Sequence, residues 1–268
     1  LSTSCVDKDL FPYPKEPQKF TRITSIDWTN FFPEEKEGGK EQYIYDEAGN
    51  LLEILNINED NSINQNFIPK RTNGQVTSMD YFDSKGEKIS EIFYKYDKSG
   101  RIIETKWTPL ILSHPNREEY IWNGDKIIEI KLFYKYYLEL NKDTVVIFNY
   151  IHDEKGNVIR SEEHYEKRDL IYIYEYEHDD KENIGQFRPI EEIPFIIRMS
   201  DMFWATNNVI KTTRTKKVKS TGEVLETKSY NSYTDIQYDE ENRIMFYEYE
   251  SLPQKYRHTF TYKTFIVE

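Results

Sequence analysis

Three kinds of residue in this chain could carry chemistry, and their spacing limits each. The five histidines, His114, His152, His164, His178 and His258, form no His-x-x-x-His pair, and Cys5 is the lone cysteine. Neither a metal nor a cofactor is therefore expected. His152 and His164 fall on opposite arms of one expected hairpin, too far apart to share an ion. Acidic neighbours occur at Glu162-Glu163, Asp179-Asp180 and Glu191-Glu192. Glycoside hydrolysis needs two carboxylates facing a sugar about 5–9.5 Å apart, whereas adjacent strand residues point to opposite faces. No catalytic residue is assigned, and the chain is read as a non-enzyme. A carboxylate-dependent hydrolase acting on carbohydrate stands as the alternative. Asp46, Asp83, Asp97, Asp153 and Asp239 could gather calcium at one rim, but closing turns is the simpler use of an aspartate in such a setting. Asn58–Ser62 has the acids of a calcium loop without its central glycine or closing glutamate. The aromatics Phe187, Phe195, Phe203 and Trp204 are the candidate ligand-binding residues, since ring faces near acids are what sugars or peptides meet. Capping a sheet's core is the competing use.

The elements that must position these residues repeat one pattern. An aromatic-rich strand runs into an acidic turn, and an apolar strand leaves it. The copies include Tyr43-Ile-Tyr-Asp-Glu-Ala-Gly49, Tyr81-Phe-Asp-Ser-Lys-Gly86, Tyr94-Lys-Tyr-Asp-Lys-Ser-Gly100, Tyr120-Ile-Trp-Asn-Gly124 and Tyr150-Ile-His-Asp-Glu-Lys-Gly156. Lys219-Ser-Thr-Gly222 and Tyr238-Asp-Glu-Glu-Asn242 complete the set. In Asp-x-x-Gly the aspartate accepts from backbone N–H groups beyond it, and the glycine takes the left-handed conformation that closes a bulged hairpin. Asn242 tolerates the same conformation. Seven copies predict an all-β antiparallel meander of about fourteen strands, most of six to eight residues, curled into a barrel-like or large twisted sheet. Alternation in Ile171–Glu177 sets Tyr172, Tyr174 and Tyr176 on one face, the dry one.

The rhythm breaks between Asp179 and Thr206, where a long loop with a short helix is expected; loops this long are usually functional. Residues 1–20, with Pro12, Pro14 and Pro17, read as an N-terminal tether, and 21–268 as a single domain. The basic run Lys211–Lys219 reads as a strand whose charge discourages edge pairing.

The net charge of −12 argues against a nucleic-acid partner. The 22 Tyr and 15 Phe supply the core that a modest aliphatic content would not. No apolar run is long enough for a transmembrane helix, and short strands with low hydropathy argue against a spanning barrel.

The Tyr-x-Tyr-Asp-x-x-Gly copies resemble the tyrosine–aspartate repeats of large bacterial surface shells. A closer resemblance is to a family of Gram-negative bacterial lipoproteins of unknown function with a porin-like β fold. In that family a Tyr-x-Tyr strand runs into Asp-x-Lys-x-Asn, then an apolar insertion, then Asn-Asn-Val. Here these are Tyr174–Asn183, the insertion, and Asn207-Asn208-Val209. The resemblance implies a cell-envelope protein, outer-membrane-anchored or secreted, and brings no activity or cofactor. Leu1-Ser-Thr-Ser-Cys5 resembles the end of a lipoprotein signal, which would make Cys5 the lipidated residue and the membrane a partner only through that anchor. A non-catalytic binding or scaffold module is the expected function, with a glycan or surface protein as partner. A purely structural shell is the remaining alternative.

Overall fold

The computed structural model describes residues 18–31, 36–108, 116–137, 142–183, 206–231, 235–251 and 254–267. Among them there is no helix and a single sheet of seventeen strands. In chain order these are β1 (Gln18–Phe31), β2 (Lys36–Tyr45), β3 (Leu51–Asn58), β4 (Ile63–Thr72), β5 (Gln75–Phe82) and β6 (Lys88–Tyr96). Next come β7 (Ile102–Thr108), β8 (Arg117–Asn123), β9 (Lys126–Tyr137), β10 (Lys142–His152), β11 (Val158–Tyr165) and β12 (Leu170–Glu182). The last are β13 (Asn207–Val218), β14 (Val224–Asn231), β15 (Asp235–Tyr238), β16 (Ile244–Ser251) and β17 (Gln254–Val267).

Each strand from β1 to β13 pairs antiparallel with the next, as do β15 with β16 and β16 with β17. The first and last strands also pair antiparallel, from Gln18↔Val267 to Phe31↔Lys255. The sheet is nevertheless not closed. Among the described residues β14 pairs only with β13 and β15 only with β16. Direction explains the gap. Strand direction alternates along the meander, and β17 opposes β1, so β14 and β15 run the same way; with three residues between them, too few for a crossover to a parallel neighbour, they follow one another along the chain and are not side-by-side partners.

Alternation also sorts the connections. At the end where β1 starts and β17 finishes, here the terminal rim, lie the turns Asp46–Asn50, Asn73-Gly74, Asp97–Arg101, Asn123–Lys126, Asp153–Asn157 and Asp239–Arg243. The Asp83–Glu87 turn lies at the opposite rim.

The expected turn chemistry is present. In the Asp97 turn, the Gly100 N–H donates to Asp97 O at 3.1 Å, and the carboxylate accepts from the N–H groups of Ser99 at 2.8 Å and Arg101 at 3.0 Å. The Arg101 side chain returns to the same carboxylate at 2.8 Å. Asn50, Asn157 and Arg243 do likewise at 2.8, 3.0 and 2.6 Å. Gly100 has φ of 80° and Asn242 φ of 61°.

Each of these turns is followed by a register shift, and the shift splits an apolar doublet. Leu51 and Leu52 both lie opposite Tyr45; Leu51 is 0% exposed and Leu52 46%. Val158 and Ile159, Ile244 and Met245, and Ile127 and Ile128 divide the same way. The inner member contributes about 1.5–3 kcal/mol by burial, as an upper estimate. The inner members join two clusters. One spans β1–β7 with β15–β17 and includes Ile23, Ile54, Met79, Tyr81, Ile92 and Trp107. The other spans β7–β12 and includes Tyr120, Ile130, Tyr150 and Tyr165. Tyr172 and Tyr176 pack against the second cluster, so the tyrosine face is the inner one, although Ile173 on the opposite face is the more buried, at 6% exposed. Glu118 is an exception, a fully buried carboxylate that accepts from the Thr105 hydroxyl at 2.9 Å and from the Tyr120 hydroxyl.

The architecture corrects several expectations. The strands number seventeen, not about fourteen, because β1, β4, β12 and β17 border none of the seven turn copies; two turns that lack the Asp-x-x-Gly signature flank β4. The Asn58–Ser62 loop is a hairpin turn, in which Asp60 accepts from the Ser62 N–H at 2.9 Å. Asn73-Gly74 makes a two-residue turn with both φ angles positive, the strongest short hairpin signal a sequence offers. Strands also run longer than expected, to 14 residues in β1 and β17. β1 begins at Gln18, so residues 18–20 belong to the sheet. β13, which carries most of the basic run, is paired on both sides and is not an edge. The insertion is narrower than 179–206, since β12 continues to Glu182. Residues 184–205, where a short helix was expected, lie outside the described residues.

Candidate functional site

The densest buried polar arrangement lies on the terminal rim, where β12 ends and β13 begins. Asn183 and Thr206 flank the 184–205 segment. The Asn183 N–H donates to Thr206 O at 2.9 Å, so both roots of the segment meet. The Asn183 side chain donates to Asn207 O at 3.0 Å, and Asn207 Nδ2 donates to Lys181 O at 3.0 Å. The adjacent β10–β11 turn locks onto this pair. Asn157 Oδ1 accepts from the Asn207 N–H at 2.8 Å, its Nδ2 donates to Asn207 Oδ1 at 3.1 Å, and the Thr206 hydroxyl donates to Lys155 O at 2.7 Å. Gly156 permits that approach, because a Cβ there would stand 2.9 Å from Thr206 Oγ1.

Asp179 is the hub of the next layer. Its carboxylate accepts from the N–H groups of Lys181 and Asn208, both at 3.0 Å, from Asn208 Nδ2 at 3.2 Å, and from the Tyr238 hydroxyl. Asn183 and Asn208 are each 1% exposed. The Tyr238 hydroxyl is pushed well above its ordinary pKa, first by burial and then by the Asp179 carboxylate that accepts its proton. Half-buried His178 is lowered by burial, against the opposing pull of Asp153 and Asp179. With so many donors aimed at it, Asp179 has little acceptor capacity left for a metal or a migrating proton. The arrangement holds shape.

Tyr238 reaches Asp179 because of the gap in the sheet. In other repeats the residue before the turn donates to a carbonyl on the preceding strand: Tyr45 to Ile23 at 2.8 Å, Tyr96 to Val76 at 2.5 Å and Trp122 to Ile102 at 2.7 Å. His152 Nε2 contacts Ile127 O at 2.8 Å in the same place. Among the described residues β15 pairs only with β16, and β14 leads into it from the same direction instead of lying beside it. Its tyrosine therefore crosses to β12, and a side-chain contact spans the unpaired seam.

Beside this network is a cavity of about 260 Å³ lined by Asp125, Lys126, His152, Glu154, Lys155 and Thr206. A second, of about 410 Å³, lies at the opposite rim against Asn116, Phe133, Tyr134, Thr144, Glu166 and Lys167. Among the described residues no three His, Cys, Asp or Glu side chains converge as metal ligands would. The aspartates Asp46, Asp97, Asp153 and Asp239 share the terminal rim, but each closes its own turn. Hydrogen bonds from Asn50 and from Arg101 hold Asp46 and Asp97 below the ordinary carboxylate range. His164 lies 3.3 Å from Glu162, away from His152. Phe187, Phe195, Phe203, Trp204 and Cys5 lie outside the described residues.

Sequence reasoning used Asn183, Asn207 and Asn208 as marks of resemblance and Asp179 also as half of an acidic pair, and missed Asn157 and Tyr238 as their partners. The available signal was the asparagine that follows the turn glycine at Asn157, the position from which Asn50 binds its own aspartate.

Comparison with known proteins agrees with this architecture. No family model matches the chain, and no curated protein does. Among solved structures, it is similar to a porin-like protein from Bacteroides uniformis, with a TM-score of 0.53 at 10% identity over 90% of this chain and 98% of that one. A porin-like protein from Bacteroides vulgatus aligns with a TM-score of 0.48 at 14% identity, over 91% of this chain and 99% of that one. A chain of the TcdB2-TccC3-TEV structure aligns with a TM-score of 0.38 at 11% identity, over 81% of this chain but 10% of that one. The first of these likenesses establishes a shared fold.

Proposed function

We propose that this protein is a non-catalytic module of the bacterial cell envelope, anchored through Cys5, that holds the 184–205 segment on its terminal rim to bind a glycan or a surface protein. The observation that carries this reading is the bracket of Asn157, Asp179, Asn183, Asn207, Asn208 and Tyr238. Buried side-chain hydrogen bonds are costly to leave incomplete, and here they are concentrated on fixing the two roots of one insertion. Phe187, Phe195, Phe203 and Trp204 belong to that insertion and would supply the ring faces. The porin-like fold of the Bacteroides uniformis protein supports the envelope setting.

Binding of the full chain to an array of bacterial-surface and host glycans, with Trp204→Ala in parallel, tests the proposal. Retention by the native chain and loss in the variant are expected for a glycan ligand. No binding across the array, with envelope proteins equally unbound in a pull-down, would leave only the structural shell. The hydrolase reading rests on Asp125 and Glu154 lining one cavity; shortened glycans released from the array would favour it.

A further inference from the structure

β14 has a free edge whose charges are self-complementary. It pairs along one side with β13, and among the described residues nothing pairs along its other side. β16 runs out before it could do so. From the Asp235↔Glu248 pair it continues for three residues, Tyr249–Ser251, to its turn, and three residues, 232–234, separate Asp235 from β14. Val224 is 54% exposed and Leu225 48%, and Thr227, Lys228 and Ser229 are exposed too. Such an edge offers unpaired backbone donors and acceptors to another strand.

Register decides which strand fits. Tyr172 lies opposite Lys216 and Tyr174 opposite Arg214, and these lie in turn opposite Glu226 and Lys228. Glu226 and Lys228 are therefore on the inner face. Thr227 and Ser229 are on the outer one, opposite Thr215 and Thr213. When two copies of one strand pair antiparallel with inner face beside inner face, a two-fold axis passes through a single residue position. An axis at Glu226 or at Lys228 sets that charge against its own copy, and like charges directly opposite are unfavourable. Only an axis at Thr227 sets Glu226 of each copy opposite Lys228 of the other. It also sets Thr227 opposite Thr227, and both kinds of cross-strand pair are favourable. Residues 224–230 of the two strands then overlap in full, with Leu225 opposite Ser229. Arg214 and Lys216 stand one strand back, roughly 9–10 Å from the second copy's edge, which is about a Debye length at physiological ionic strength. Their charge therefore opposes the pairing only weakly.

We infer that the β14 edges of two copies of this chain pair antiparallel about a two-fold axis at Thr227, joining their sheets in an isologous dimer. The pairing turns the two terminal rims to opposite ends. It therefore suits copies free in solution or on facing surfaces better than two anchored side by side. It does not depend on what the 184–205 segment binds.

Sedimentation velocity of the full chain from micromolar to millimolar concentration tests this, with amide hydrogen exchange at both ends of the range. A concentration-dependent dimer is expected, with exchange slowed across residues 224–231 and unchanged in β1–β12. Glu226→Lys and Lys228→Glu each set like charges opposite one another at both crossing points. Each should weaken self-association at least about tenfold, with exchange in β1–β12 native. Mixed in equal amounts, the two variants again oppose carboxylate to ammonium at both points, and a heterodimer of about the native affinity is expected. A chain that stays monomeric throughout, a dimer that neither substitution weakens, or natively protected variants that do not pair on mixing would each overturn the inference.

Discussion

Replacing Asp179 with alanine removes the acceptor of four donors: the N–H groups of Lys181 and Asn208, the Asn208 amide, which keeps a long contact to Lys181 O, and the Tyr238 hydroxyl. Hydrogen bonds to a charged acceptor contribute about 1.5–3 kcal/mol each, and a buried donor left without one costs about 1–3 kcal/mol. Water can reach part of the site, because Asp179 itself is only half-buried, so the four do not sum at full value. A loss of about 3–4 kcal/mol is expected, a large share of the roughly 5–15 kcal/mol typical of a folded domain. For chains of about this size it corresponds to a fall in Tm of roughly 6–16 °C. Urea denaturation measures the loss, and a cycle with Tyr238→Phe isolates the contact across the seam. Tyr238→Phe alone should cost about 1–2 kcal/mol, and the cycle should show coupling of about 1 kcal/mol or more. Hydrogen exchange should accelerate first around Asn207–Val209 and Tyr238. A loss under about 1 kcal/mol for Asp179→Ala, or strict additivity with Tyr238→Phe, would refute the account of Asp179 as the hub that ties β15 to β12.

Two further predictions follow from the turns and the ion pairs. Gly49→Ala should destabilise more than Gly86→Ala, although both glycines have positive φ. A Cβ on Gly49 would stand 2.6 Å from the Phe20 ring and 3.0 Å from that of Phe265, whereas one on Gly86 meets nothing. About 1–2 kcal/mol for Gly86→Ala and a further 1–3 kcal/mol for Gly49→Ala, read from urea midpoints, are the expected values. The second concerns acid. Glu91 is held down to about 2, chiefly by Lys88 with help from Ser78 and Lys70. Its folded pKa lies below its unfolded one, so its stabilisation is complete above about pH 4.5 and is lost as pH falls toward about 2. Because Lys88 and Lys70 are more than a third exposed, solvent screening reduces the contribution to about 1–2 kcal/mol. Glu91→Gln should flatten that part of the stability–pH curve, and an unchanged slope would count against the pairing.

Local chemistry in this protein was legible and long-range chemistry was not. Asp-x-x-Gly, with Asn242 standing in for glycine, names its own turn because donor, acceptor and left-handed residue lie within five positions. The tyrosine face of β12 was legible for the same reason, since alternation is a property of neighbours. Nothing local marks the seam. Val224–Tyr238 reads as ordinary strand, and only the antiparallel pairing of β1 with β17, residues more than 200 positions apart, forces β14 and β15 into one direction. The rim bracket was hidden likewise, because Asn157 and Asn207 are 50 residues apart and asparagine is common in turns for reasons unrelated to partners.

The apolar doublets show why a correct turn reading still leaves the surface undecided. A bulge sets two residues opposite one, so where the pattern after glycine is polar–apolar–apolar, one apolar side chain enters the core and the next faces water. Leu52, Ile128, Ile159, Leu225 and Met245 are all exposed large hydrophobics, and all occupy that second place. Strict alternation would also send the two neighbours to opposite faces; what the bulge changes is the spacing beyond them. The offset left by turn closure shows in buried residues three apart, Leu51 with Ile54, Ile127 with Ile130 and Val158 with Ser161. β14 departs from the rule in one respect: Val224, the inner position of its doublet, is also exposed. Among the described residues β14 is paired with β13 alone, and its exposed doublet belongs to neither core cluster.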